Sequence, residues 1–161
     1  MIDAYLILAD RIQQEFKELT HVISRAGCAI RAARQHPDDL DLYIDSAALN
    51  LHDFYGFLER IFQQIGTAVD GDLLTGSDWH KQLLLLMQLD IPDLRPPVLS
   101  TETVIALDKY RRFRHVVRNI YAFQFNPQQI ERLVNQMPTV FTRAQSELLV
   151  FIDFLRQVGA S

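Results

Sequence analysis

Residues 110–121 read YRRFRHVVRNIY and set Arg111, Arg112, Arg114 and Arg118 around His115, in a chain whose formal net charge is −4. Guanidinium groups offer forked donors that match phosphate oxygens, and histidine exchanges a proton near neutral pH. Tyr121 adds a hydroxyl or a stacking ring. A helix turning about 100° per residue sorts this stretch into strips. Phe113, Val116, Val117 and Ile120 fall together and are expected to face the core. Arg114, Arg118 and Tyr121 share an adjacent strip at spacings of four and three, and His115 and Asn119 share a third. Two readings fit. In one, the arginines form a solvated face, covering apolar neighbours with their stems and pairing with nearby carboxylates. In the other, Arg114 and Arg118 hold a phosphate.

Elsewhere the chemistry is sparser. His21, His36, His52, His80 and His115 lack the paired spacing of a metal site, and one cysteine cannot complete a zinc cluster. The sequence contains no glycine-rich phosphate loop, dinucleotide fingerprint or nucleophile elbow. Neither a metal nor a cofactor is therefore expected. Trp79 and His80 in SDWHKQLL read as a packed indole beside a surface imidazole. His52, Asp53 and Glu59 in NLHDFYGFLERIF read as the polar side of an amphipathic helix. Cys28 sits in an apolar helical pattern, which fits a reducing compartment and a core role.

The elements that must position these groups are helical. Apolar residues at Ile2, Leu6, Ala9, Ile12, Phe16, Leu19, Ile23, Ala26 and Ile30 trace one face of a helix over about residues 2–33. Pro37 ends it, because proline disfavours helical geometry in the preceding residue. A second helix over about residues 39–69 carries Ile44, Ala48, Leu51, Tyr55, Leu58, Phe62, Ile65 and Val69. Ala47, Phe54, Ile61 and Ala68 widen that stripe. The short turn between the two predicts an antiparallel hairpin.

Ser77 can cap a short helix over about residues 78–89, and three prolines keep DIPDLRPPVLS extended. Ser100 is a candidate cap for the helix that holds the basic stretch, running to about residue 123. Asn126-Pro127 is a strong start signal for a fifth helix, which Pro138 is expected to kink or divide.

The expectation is one all-α domain over residues 1–161, an antiparallel bundle of five or six helices. Its 161 residues, ten of them phenylalanine, suffice for a substantial core. Sixteen Lys plus Arg against twenty Asp plus Glu argue against a nucleic-acid-coating protein but allow one local basic patch. LLLLM at 83–87, the longest apolar run, is far too short to cross a bilayer. The N-terminus lacks a basic leader and a small-residue cleavage site. A cytoplasmic protein without membrane contact is expected.

Taken as Arg114-His115-Val116-Val117-Arg118-Asn119-Ile120-Tyr121, the basic stretch resembles the motif of HEPN-domain ribonucleases of the HepT type. There an Arg is followed by a polar residue, three further residues, a His, one spacer and a Tyr. DSAALNLHDFYGFLERIFQQIG and WHKQLL also look like that branch, so the resemblance spans about residues 40–135. It implies a HEPN-like homodimer whose motif helices face each other across a cleft and cut RNA without a metal. It further implies a toxin paired with an MNT-type nucleotidyltransferase antitoxin, which can transfer AMP to the motif tyrosine, Tyr121. Where the family has its His, this chain has Asn119. Proton transfer at neutral pH suits an imidazole and not an amide.

The expected catalytic set is accordingly Arg114 on the scissile phosphate, His115 replacing the missing acid/base, and Asn119 as a hydrogen-bonding group. Arg111 and Arg118 are expected to bind RNA. The alternative is a catalytically degenerate HepT-like subunit that only binds, within a nucleotidyltransferase complex.

Overall fold

A computed structural model of the chain describes residues 2–71, 74–117 and 125–161. It contains α1 (Ile2–Gln35), α2 (Leu40–Ile65), α3 (Trp79–Leu86), α4 (Thr101–Val117) and α5 (Pro127–Ala160), with no strand among the described residues. The architecture is the all-helical bundle that the sequence periodicity predicts.

Local chemistry accounts for the helix ends. The α1–α2 turn contains a 3-10 turn at Pro37–Asp39. The Ser100 hydroxyl accepts from the Thr103 N–H at 3.2 Å, and Asn126 Oδ1 accepts from the N–H groups of Gln128 and Gln129 ahead of Pro127. After α2 the chain widens into a π turn, Gly66–Asp70. This turn closes when Gly71, at φ +76°, donates its N–H to the Gly66 carbonyl. The wider turn shifts the helical phase and leaves Ala68, expected on the apolar stripe, exposed.

The long helices pack antiparallel. Ion pairs join the end of α1 to the start of α5, through Arg34 and Glu131, and the start of α1 to the end of α5, through Asp10 and Arg156. The rings of Phe16, Phe141, Phe54 and Tyr110 form a chain of edge contacts across α1, α5, α2 and α4, with centroids 5.2–6.4 Å apart. The start of α4 is tied to α5 by Glu147. Its carboxylate accepts from the Ser100 N–H at 2.6 Å, the Ser100 hydroxyl at 3.0 Å and the Thr103 hydroxyl at 2.7 Å. A carboxylate there also complements the positive end of the α4 dipole.

Two further sequence expectations are corrected and one is narrowed. Helix α5 runs undivided through Pro138, which excludes a division there, and Met137, Phe141 and Ala144 are buried around it. Cys28 is exposed, where it accepts from Arg31 Nη2 at 3.1 Å; the buried stripe of α1 passes through Ala26, Ala29 and Ile30 instead. Val116, placed on the core side of α4, is 46% exposed, whereas Phe113 is buried.

The connection into α4 is clamped by Arg95, whose side chain is fully enclosed. Its Nε and Nη2 donate to the two carboxylate oxygens of Asp70 at 2.7 and 3.0 Å. Its Nη groups also donate to the carbonyls of Leu86, Leu89 and Pro96. With every donor direction used, the buried charge is held at the end of α2. Arg95→Ala is expected to lower unfolding free energy by about 3–5 kcal/mol, because Asp70 stays buried without its partner. Urea denaturation checks this, and a loss no larger than that of a surface pair, ~1 kcal/mol or less, would contradict it.

Candidate functional site

Helix α4 does not present its basic residues as one patch. Arg112 is exposed, pairs with Asp108 at 3.2 Å, and lines a groove between α4 and α5 with Lys109 and Arg132. Arg114 turns the opposite way, across α2. Arg111, assigned to RNA binding, donates to Asp108 Oδ1 at 2.6 Å and reaches the edge of a narrow cleft beside Arg114. His115 is exposed at that same cleft. Arg118, Asn119 and Tyr121, together with Ile120, lie outside the described residues.

The seat of Arg114 is built by α2. Its Nη1 donates to the His52 carbonyl at 2.9 Å and lies 3.1 Å from His52 Nδ1. A Cβ on Gly56 would stand 2.7 Å from that same Nη1. The missing side chain at position 56 is therefore what lets the guanidinium lie against the helix.

Next to this seat stands a pair that sequence reading treated as ordinary surface. His80, at the start of α3, meets Glu59 Oε2 through Nδ1 at 2.7 Å, and the Glu59 side chain is only 7% exposed. The Trp79 ring stacks on the imidazole with centroids 3.6 Å apart. His52, Gly56, Glu59, Trp79, His80 and Arg114 border an open groove of about 440 Å³. Tyr55 closes the floor of the narrower cleft; burial, reinforced by the charge of Glu59, pushes its phenol well above the ordinary range. Tyr55 is thus held as a neutral hydroxyl in alkaline solution. Among the described residues, no group of three or more His, Cys, Asp or Glu side chains is placed to hold a metal ion.

His52, Glu59 and His80 are the residues that sequence reasoning undervalued. A signal was present: His52, Gly56, Glu59 and Gln63 follow one another at spacings of four, three and four. Glu59 also falls four residues after Tyr55 and three before Phe62, inside the apolar stripe. A carboxylate at such a position needs a partner from another element.

The fold and site define an all-helical bundle whose groove between α2, α3 and α4 gathers two arginines, two histidines and two carboxylates. The chain belongs to the HepT-like family of HEPN proteins: a family model described as HepT-like protein matches residues 46–155, a span that includes α3, α4 and the whole site. Neither the curated proteins nor the solved structures contain a significant match to it. No helix among the described residues is long and apolar enough to cross a membrane.

Gly56→Ala tests the seat. Helix propensity favours alanine by roughly 0.5–1 kcal/mol, so the variant should stay folded while the guanidinium is displaced. The expected result is unchanged or slightly higher unfolding stability with a shifted Arg114 side-chain NMR resonance. An unmoved resonance would show that the close approach is not what holds Arg114.

Proposed function

We propose that the chain is the toxin of a HEPN/MNT-type pair and acts as a metal-independent RNA endonuclease. The observation that carries this reading is the seating of Arg114 on His52 and Gly56, which places a guanidinium at the border of a groove shared with two histidines. Family membership supports it independently.

Arg114 would hold the scissile phosphate and stabilise the charge that develops as the ribose 2′-oxygen attacks phosphorus. His115, at the mouth of the narrow cleft, exchanges a proton with the reacting oxygens. Asn119 serves as a hydrogen-bonding group, and Arg111 and Arg118 hold flanking phosphates. The protein works as a cytoplasmic homodimer with the two motif helices across one cleft. An MNT-type nucleotidyltransferase antitoxin silences it by transferring AMP to Tyr121, which places a bulky anion where RNA phosphates must enter. In the second reading, favoured by Asn119 at the motif position, the chain binds RNA or its partner without cutting.

Purified protein in excess chelator is expected to cut RNA, and its expression to arrest growth. Arg114→Ala and His115→Ala should each lower cleavage by about 10²-fold or more. Full activity in the double variant would overturn the reading, and tight RNA binding without cleavage would favour the second. Mass measurement after coexpression with an MNT-type nucleotidyltransferase is expected to find one AMP on Tyr121; an unmodified tyrosine in silenced cells would rule out that mode of control.

A further inference from the structure

Cleavage of RNA by its own 2′-hydroxyl needs two proton transfers, one away from the attacking 2′-oxygen and one onto the departing 5′-oxygen. His115 supplies one group. We infer that His80, oriented by Glu59, supplies the other as the general base of the ribonuclease reaction; this rests on the reading above.

Three structural features carry it. The Glu59 carboxylate is buried and meets His80 Nδ1 at 2.7 Å; a carboxylate there accepts a proton from Nδ1, and in the neutral ring this leaves the lone pair on Nε2. Trp79 stacks on one face of the ring, with centroids 3.6 Å apart. His80 also lines both the open groove and the narrow cleft, sharing the first with Arg114 and the second with Arg114 and His115. Its side chain is 24% exposed, so substrate can reach it. A surface histidine serving only to satisfy Glu59 would not need a stacked indole or a place at two openings beside the phosphate-seating arginine.

In the reaction, the Nε2 lone pair of His80 takes the 2′-hydroxyl proton while the 2′-oxygen bonds to phosphorus. The phosphorus–5′-oxygen bond breaks, and that oxygen takes a proton from His115. The products are a 2′,3′-cyclic phosphate and a 5′-hydroxyl, with His80 left protonated and His115 neutral until both re-equilibrate with water. Other charged groups facing His80 are Asp53 and Arg60 on α2 and Arg111 on α4. Glu59 is a positioning residue, since it touches the imidazole and not the substrate.

The test uses the full chain and two versions of a labelled single-stranded RNA, one normal and one with sulfur in place of the scissile 5′-oxygen. A thiolate leaves without protonation, so the sulfur substrate relieves the need for a general acid but not for a base. His80→Asn is expected to lower kcat by about 10²-fold or more with KM unchanged, on both substrates. His115→Ala is expected to recover most of its rate on the sulfur substrate. Glu59→Gln, which keeps an acceptor for Nδ1, should fall about 10-fold to 100-fold, with circular dichroism confirming the fold. If wild-type protein cuts while His80→Asn retains its rate, or is rescued by sulfur, the assignment to His80 as base fails and the ribonuclease reading stands. If wild-type protein leaves RNA intact, both fail.

Discussion

Helix α2 is packed against α1, α3, α4 and α5, so a charged group on its buried course must find its partner on another helix. Most of the helix meets that constraint with apolar side chains, from Ile44 through Ile65. Three stations do not, and the first, buried Asn50, is satisfied within α2 by donating to the Ser46 carbonyl at 2.8 Å. Glu59 is buried and is answered by His80 from α3, and the gap at Gly56 is filled by Arg114 from α4. These two compensations draw α3 and α4 onto the same stretch of α2 and thereby create the groove. The site is the place where the core could not be made wholly apolar.

Supporting elements keep those helices in register. Arg95 binds Asp70 at the end of α2 and the carbonyls around the end of α3, so the irregular connection between α3 and α4 cannot slide. Glu147 on α5 holds the first turn of α4 through Ser100 and Thr103. Tyr110, one turn before Arg114, donates its hydroxyl to the Leu133 carbonyl at 2.7 Å while its ring packs on Phe54. Arg114 is consequently delivered by a helix fixed at Ser100, Thr103 and Tyr110, which pre-organises its guanidinium against α2.

The basic stretch that drew attention in the sequence divides in three dimensions. Arg112 serves the groove toward α5, Arg111 is engaged by Asp108, and Arg114 crosses α2. The Asp108 pairs belong to the ordinary polar face of the first sequence reading, whereas Arg114 is seated across α2. Val116 shows how a helical wheel fails at a margin. A side chain within the apolar arc is exposed wherever no neighbouring helix arrives to cover it.

Sequence alone determined the helices, their caps at Ser100 and Asn126, and the hairpin of α1 and α2. Each of these depends on neighbours within a turn or on a periodicity that repeats along the chain. It did not determine that Glu59 would meet His80, that Gly56 would leave room for Arg114, or that Cys28 would be exposed. Residues 59 and 80, like 56 and 114, are far apart in the chain. Their contact depends on how helices cross, which depends in turn on packing summed over many side chains. Local pattern supplied the parts, and the enclosure of α2 decided which of them became a site.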